Sequence, residues 1–261
     1  LSEHGKLWWD GAIVARLADG PSALQPRVAV LADENLRADL RERIQARLDE
    51  WVKARIATRL EPLIDLQKSA DAKPGTKDAL PAQARGLAYQ LCEALGSLDR
   101  KRATMPADER AAIRAISAPG VKFARRSIYM PKLLRPDAAS LLALLWGVKH
   151  RLEKIPPPPQ AGLTSFEPDY ELPDGFLTAA GFRMAGPRAI RLDMLDRIEQ
   201  ELADAAKAGA TADAAIPKLL SMLGCDRASL DKILAALGWR RMQVEGETPV
   251  EVWRQSAAQQ K

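Results

Sequence analysis

The chain has 261 residues, a formal net charge of +5 and a pI near 9.3, which leaves room for two or three packed units and permits an acidic partner, nucleic acid or protein. Hydrophobic residues at 47% and charged residues at 28% exclude wholesale disorder, and no apolar run approaches the roughly 18 residues of a membrane helix, so a cytoplasmic protein with no membrane contact is expected. Cys92 and Cys225 stand far apart inside helical apolar patterns, which excludes a disulfide framework and a zinc site.

The chain opens on Leu1 and not Met, so a fragment of a longer protein is expected. Asp10-Gly11 between strand-like runs predicts a tight hairpin over residues 6–17, because both turn positions want positive φ. A third strand is predicted over residues 27–31, with Gly20-Pro21 and Pro26 breaking the connection. Trp8 and Trp9 could stack on bases, but adjacent strand positions face opposite sides, and core or interface packing is the preferred reading. From Leu36, Leu40, Ile44, Leu48, Trp51, Val52, Ile56, Leu60 and Leu63 recur at helical spacing and predict one long amphipathic helix bent near Pro62, its arginines solvated. Residues 82–95 and 106–116 predict two more helices, the first ended by Gly96 and the second opened by Pro106.

Residues 120–136 read Gly-Val-Lys-Phe-Ala-Arg-Arg-Ser-Ile-Tyr-Met-Pro-Lys-Leu-Leu-Arg-Pro. Val121, Phe123, Ile128 and Tyr129 favour strand and Pro131 stops it, so the segment is expected to be a short basic edge strand leading into a buried helix that starts at Pro136. Such a strand would hold Lys122, Arg125, Arg126, Lys132 and Arg135 toward an acidic partner. Alternation places Lys122 with Arg126 on the open side and Arg125 with Phe123 at the core's edge. Pro156 to Pro159 form a stiff linker. Beyond it come a strand pair about Ala185-Gly186-Pro187, a helix over residues 192–207, a helix, turn and helix over residues 212–237, and a hairpin about Glu245-Gly246-Glu247. That order resembles a winged helix, with three-helix packing as the alternative.

The expected architecture is therefore mainly α: a small β-hairpin module over residues 1–35, a helical domain with the basic edge strand over 36–155, a Pro-rich linker over 156–163, and a C-terminal winged-helix-like unit over 164–261. No Gly-x-x-x-x-Gly-Lys-Ser/Thr loop and no Gly-x-Ser-x-Gly elbow occurs, and His4 and His150 are isolated, so no catalytic residue, bound cofactor or metal is expected.

The segment from Arg85 to Arg100, the segment from Gly120 to Pro136, Leu172-Pro-Asp-Gly-Phe and Ala180-Gly-Phe-Arg together resemble the region that follows the motor of superfamily-two helicases. Among those helicases the segments look like the bacterial relatives of the ATP-dependent RNA helicase of the mitochondrial degradosome. The family pattern has Gly after the aromatic and Lys before the last proline, where Ala124 and Arg135 stand here. The resemblance implies a C-terminal accessory region that guides a single strand of RNA or DNA and braces two RecA-like motor domains of the same protein. ATP and Mg would belong to those motor domains, and an exoribonuclease is a possible partner. The alternatives are a protein-interaction scaffold that docks a partner such as a nuclease, and an independent winged-helix DNA binder.

Overall fold

The computed structural model describes residue 2 and residues 4–31, 37–168, 171–207, 212–244 and 250–255. The fold is mixed α/β, with 49% helix and 20% strand, and not mainly α as the periodicities suggest. Short antiparallel sheets account for the difference, because two- to four-residue strands leave almost no alternation to read. The chain divides into two compact units, Leu1–Ala161 with Thr178–Gly181, and Gly162–Leu177 with Phe182–Lys261.

The first unit begins with a three-stranded sheet in the order β1-β2-β3, formed by β1 (Lys6–Trp9), β2 (Ala12–Ser22) and β3 (Gln25–Val30). Asp10 and Gly11 take φ of 46° and 76°, the mirror-image turn expected of Asp-Gly. Gly20, Pro21 and Pro26 lie inside strands and do not break them. The pairing shifts register between Ala18 and Ser22, where a missing proline donor is tolerated, and β3 comes so close that a Cβ on Gly20 would sit 1.9 Å from the Gln25 carbonyl oxygen.

The long helix is two helices, α1 (Ala38–Arg59) and α2 (Glu61–Asp71). Pro62 lies in the first turn of α2, where its missing N–H costs nothing, and Leu60 closes α1 and opens α2. Only Val52 and Ile56 of α1 are buried, while Leu40 and Trp51 are 39% and 41% exposed. Helices α3 (Ala82–Glu93) and α4 (Glu109–Ser117) follow, the second capped by the Asp108 carboxylate, which accepts the Ala111 N–H at 3.0 Å. The short strand β4 (Ser97–Asp99) lies between them. Helix α2 packs on α3 and α3 on α4, with Leu63, Leu66, Leu87, Leu91 and Ile116 fully buried; each such side chain contributes about 1.5–3 kcal/mol.

β5 (Lys122–Phe123) and β6 (Ser127–Tyr129) complete a second sheet in the order β4-β6-β5, and helix α5 (Pro136–Lys149) follows a 3₁₀ turn, Pro131–Leu134. Helix α5 is buried on nearly all sides and packs against β2 and α1. It ends in a tight reversal: Arg151 takes a left-handed φ of 53°, and the Leu152 N–H reaches back to the Gly147 carbonyl at 3.0 Å. Arg151 thereby reaches Asp19 of β2, donating to its carboxylate at 2.8 Å while Lys149 donates at 3.0 Å.

The second unit holds β7 (Ser165–Phe166), β8 (Phe182–Ala185) and β9 (Arg188–Arg191) as a sheet in the order β7-β9-β8. Helix α6 (Asp174–Ala179) lies in the chain between β7 and β8, at the exchange of the two units. Helices α7 (Leu192–Lys207), α8 (Ile216–Leu223) and α9 (Arg227–Ala236) enclose Leu195, Ile198, Leu219, Leu230 and Ile233. β10 (Trp239–Val244) pairs antiparallel with β11 (Val250–Gln255), as the sequence suggests; the turn at Glu245-Gly246-Glu247 lies outside the described residues.

Candidate nucleic-acid interface

The basic segment is a hairpin and not a single edge strand: β5, with Lys122 and Phe123, is at the edge of its sheet, and the chain then turns back into β6. Lys122 pairs with Tyr129 and Phe123 with Ile128, the Ala124 N–H donates to the Ser127 carbonyl at 2.9 Å, and Arg125-Arg126 form the loop. β6 is therefore the central strand of its sheet, flanked by β4 through Ser97↔Tyr129 and Asp99↔Ser127. Pro131 tolerates this because it falls after the last paired residue and opens the 3₁₀ turn. Ala124, Arg125 and Arg126 all keep negative φ, so Ala124 needs no glycine's freedom. An unprimed loop does not match strand twist, which accounts for a hairpin only two pairs long.

This geometry reverses the expected facing. With the chain turning between Ala124 and Ser127, alternation cannot be carried from Phe123 to Arg126, and it is Arg125 that is exposed and Arg126 that is half-buried. Lys122 is exposed at the other end of the hairpin, the end that leads into the 3₁₀ turn. Lys132, in the 3₁₀ turn, and Arg135, the extended residue that precedes α5, are both exposed, while Leu133 and Leu134 between them are buried. Of the five cations, Arg125 and Arg126 form the loop at the tip, Lys122 stands at the open end of the hairpin, and Lys132 and Arg135 follow β6 in the chain.

Arg100, which lies between the helices predicted over residues 82–95 and 106–116, braces the tip. The Arg100 backbone N–H donates to the Arg126 carbonyl at 2.9 Å, one guanidinium nitrogen donates to the Ala124 carbonyl at 3.3 Å, and the other pairs with Glu109 of α4 at 3.0 Å. Both carbonyls beside the loop are therefore held from β4's side. The available signal was Arg100 directly after a strand-like Ser-Leu-Asp, but three consecutive cations read more simply as a solvated loop.

The Cys92 thiol is pushed up to about 12, chiefly by burial, with Asp71 and Glu93 adding to it. Asp19 is held below its ordinary range first by the hydrogen bonds from Arg151 and Lys149. His150 stacks on Trp146 with ring centroids 3.8 Å apart. Among the described residues no cluster of three His, Cys, Asp or Glu could hold a metal ion, and no helix is long and apolar enough to cross a membrane. Trp8 and Trp9 are 53% and 74% exposed and take no part in the core. No family model, no curated protein and no solved structure matches the chain.

Proposed function

We propose that this chain is the C-terminal accessory region of an ATP-dependent RNA or DNA helicase, in which the basic hairpin and the turn after it guide one nucleic-acid strand and the helical body braces the motor. The observation that carries this reading is the braced cationic relief of residues 122–135: exposed Lys122, Arg125, Lys132 and Arg135 project from a framework whose Ile128, Tyr129, Leu133 and Leu134 are buried. Cations on a rigid base hold phosphates without ordering a loop at each encounter. The sequence resemblance concentrates in this same segment, and ATP with Mg would act in the RecA-like motor domains, which this chain lacks.

The succession α7, α8, α9, β10, β11 follows a winged-helix order. An independent DNA reader is disfavoured by the state of α9. Arg227 is tied to Asp231 at 2.9 Å, and the backbone at Lys232 lies so near Gly186 of the β8–β9 turn that a Cβ there would come within 2.9 Å. A protein scaffold is the second reading, favoured by the apolar exposure of Leu40 and Trp51 on α1.

The test is anisotropy titration of a single-stranded oligonucleotide at several salt concentrations with the Arg125→Ala, Lys132→Ala double variant. Two lost phosphate contacts lower the salt slope by about 1.4 on a single strand, with folding changed by less than about 0.5 kcal/mol per site. An unchanged slope and affinity would remove the guide role and leave the scaffold.

A further inference from the structure

The outer face of the first sheet carries an unbalanced set of charges. Register places Lys6 directly opposite Arg16, and Arg16 opposite Ala29; Ala18 faces Arg27 in the neighbouring row. Leu7, Ala15, Leu17 and Val28 occupy the other face and are buried, so these cations point away from the core. The register shift beside Leu7 and Trp8 inserts its extra residue in β2, so β1 keeps its alternation and Trp8 stands on the same face as Lys6, about 7 Å along the strand. Among the described residues of the three strands none on that face is acidic, and Lys6, Arg16 and Arg27 make no ion pair with a described residue. Like charges directly opposed across two strands destabilise a sheet, and no described strand residue on that face is a carboxylate that would relieve the pair.

The same two cations, Lys6 and Arg16, line a cleft of about 740 Å³ that continues past Arg151 and Lys154. Its acidic members are Asp19 and Glu153, and Asp19 is already engaged by Lys149 and Arg151. The face and the cleft together present an exposed indole followed by Lys6, Arg16 and Lys154, with Glu153 the one carboxylate of the lining that Lys149 and Arg151 do not engage.

We infer that this face is a second contact for single-stranded nucleic acid, in which Trp8 stacks on an unpaired base and the opposed Lys6 and Arg16 hold the adjoining backbone phosphate as the strand enters the cleft. Charge complementarity selects a polyanion, and the exposed ring beside the cations selects one with accessible bases over a duplex or an acidic peptide. The inference rests on the nucleic-acid reading above but on different residues, so the two separate experimentally.

The full 261-residue chain is titrated with single-stranded oligo(dT), oligo(U) and a duplex of equal length, as wild type, Trp8→Ala, Lys6→Ala with Arg16→Ala, and Arg125→Ala with Lys132→Ala. Trp8→Ala is expected to weaken oligo(dT) or oligo(U) binding about 5- to 150-fold without altering the salt slope, because stacking releases no counterion. Lys6→Ala with Arg16→Ala is expected to lower the slope by about 1.4. Circular dichroism of each variant should match wild type, since all five replaced side chains are exposed. Loss confined to the Arg125 and Lys132 variant overturns this second contact and keeps the first. Equal binding of duplex and single strand, or Trp8→Ala at wild-type affinity, rejects the stacking role.

Discussion

Replacing Arg100 by Ala removes the brace behind the basic tip, and its cost can be worked from two contacts. The guanidinium bond to the Ala124 carbonyl at 3.3 Å is a charge-assisted bond at the long end of the range, worth about 1 kcal/mol net. The ion pair to Glu109 at 3.0 Å has both partners roughly two-fifths exposed, which limits it to about 0.2–1 kcal/mol. Together they predict a loss of about 1–2 kcal/mol, a fall in Tm of about 2–8 °C for a unit of this size. Thermal unfolding by circular dichroism measures it, with Glu109→Gln expected to cost less than Arg100→Ala because the carbonyl bond survives. Hydrogen exchange should show the Ala124 amide, which donates to Ser127 across the loop, exchanging faster in Arg100→Ala. A Tm within about 0.5 °C of wild type, with Ala124 protection intact, would refute the bracing argument.

Other residues give further expectations. Asp19→Asn should destabilise the first unit at neutral pH; because the folded carboxyl titrates below its ordinary 3.8, the gap from wild type holds above that value and closes as pH falls through the lower one, as a pH series of melts would show. Gly20→Ala should be among the most damaging single substitutions, since its Cβ meets backbone of Gln25 and Pro26 at 1.9–3.0 Å and not a movable side chain, and loss of β2–β3 amide protection is the readout. Cys92 should resist thiol reagents near pH 8 until the protein unfolds, as its thiol titrates near 12, and labelling with and without denaturant checks this.

The elements with strong local chemistry were legible in the sequence. Asp10-Gly11, the helix over Leu192–Lys207 and the paired strands about Gly186 appear where turn residues and periodicity put them. The basic hairpin was not, because Ala-Arg-Arg-Ser holds no Gly, Pro, Asn or Asp and only a Ser at its last position, and the reversal is braced by β4 and Arg100 from earlier in the chain. Gly20-Pro21 failed in the opposite sense: a strong breaker signal was absorbed by a register shift at the end of a strand. For the candidate site, charge identified the cations but not their placement. That placement depends on where the loop falls, and a one-residue change in turn position exchanges the roles of Arg125 and Arg126.

The clamp on Asp19 also constrains the order in which the first unit can be completed. Its partners lie 130 and 132 residues further along the chain, so the N-terminal sheet leaves the ribosome long before the helix end that fastens it. Until Lys149 and Arg151 emerge, the apolar side of the sheet, Leu7, Leu17 and Val28, lacks the α5 surface that β2 packs against. Closing so long a loop adds little to the equilibrium cost but delays the contact, which places the period of greatest aggregation risk before residue 149 is synthesised. A nascent chain stalled within α5 would therefore expose the part of the sheet that α5 covers, while α1 is already available to pack on β3.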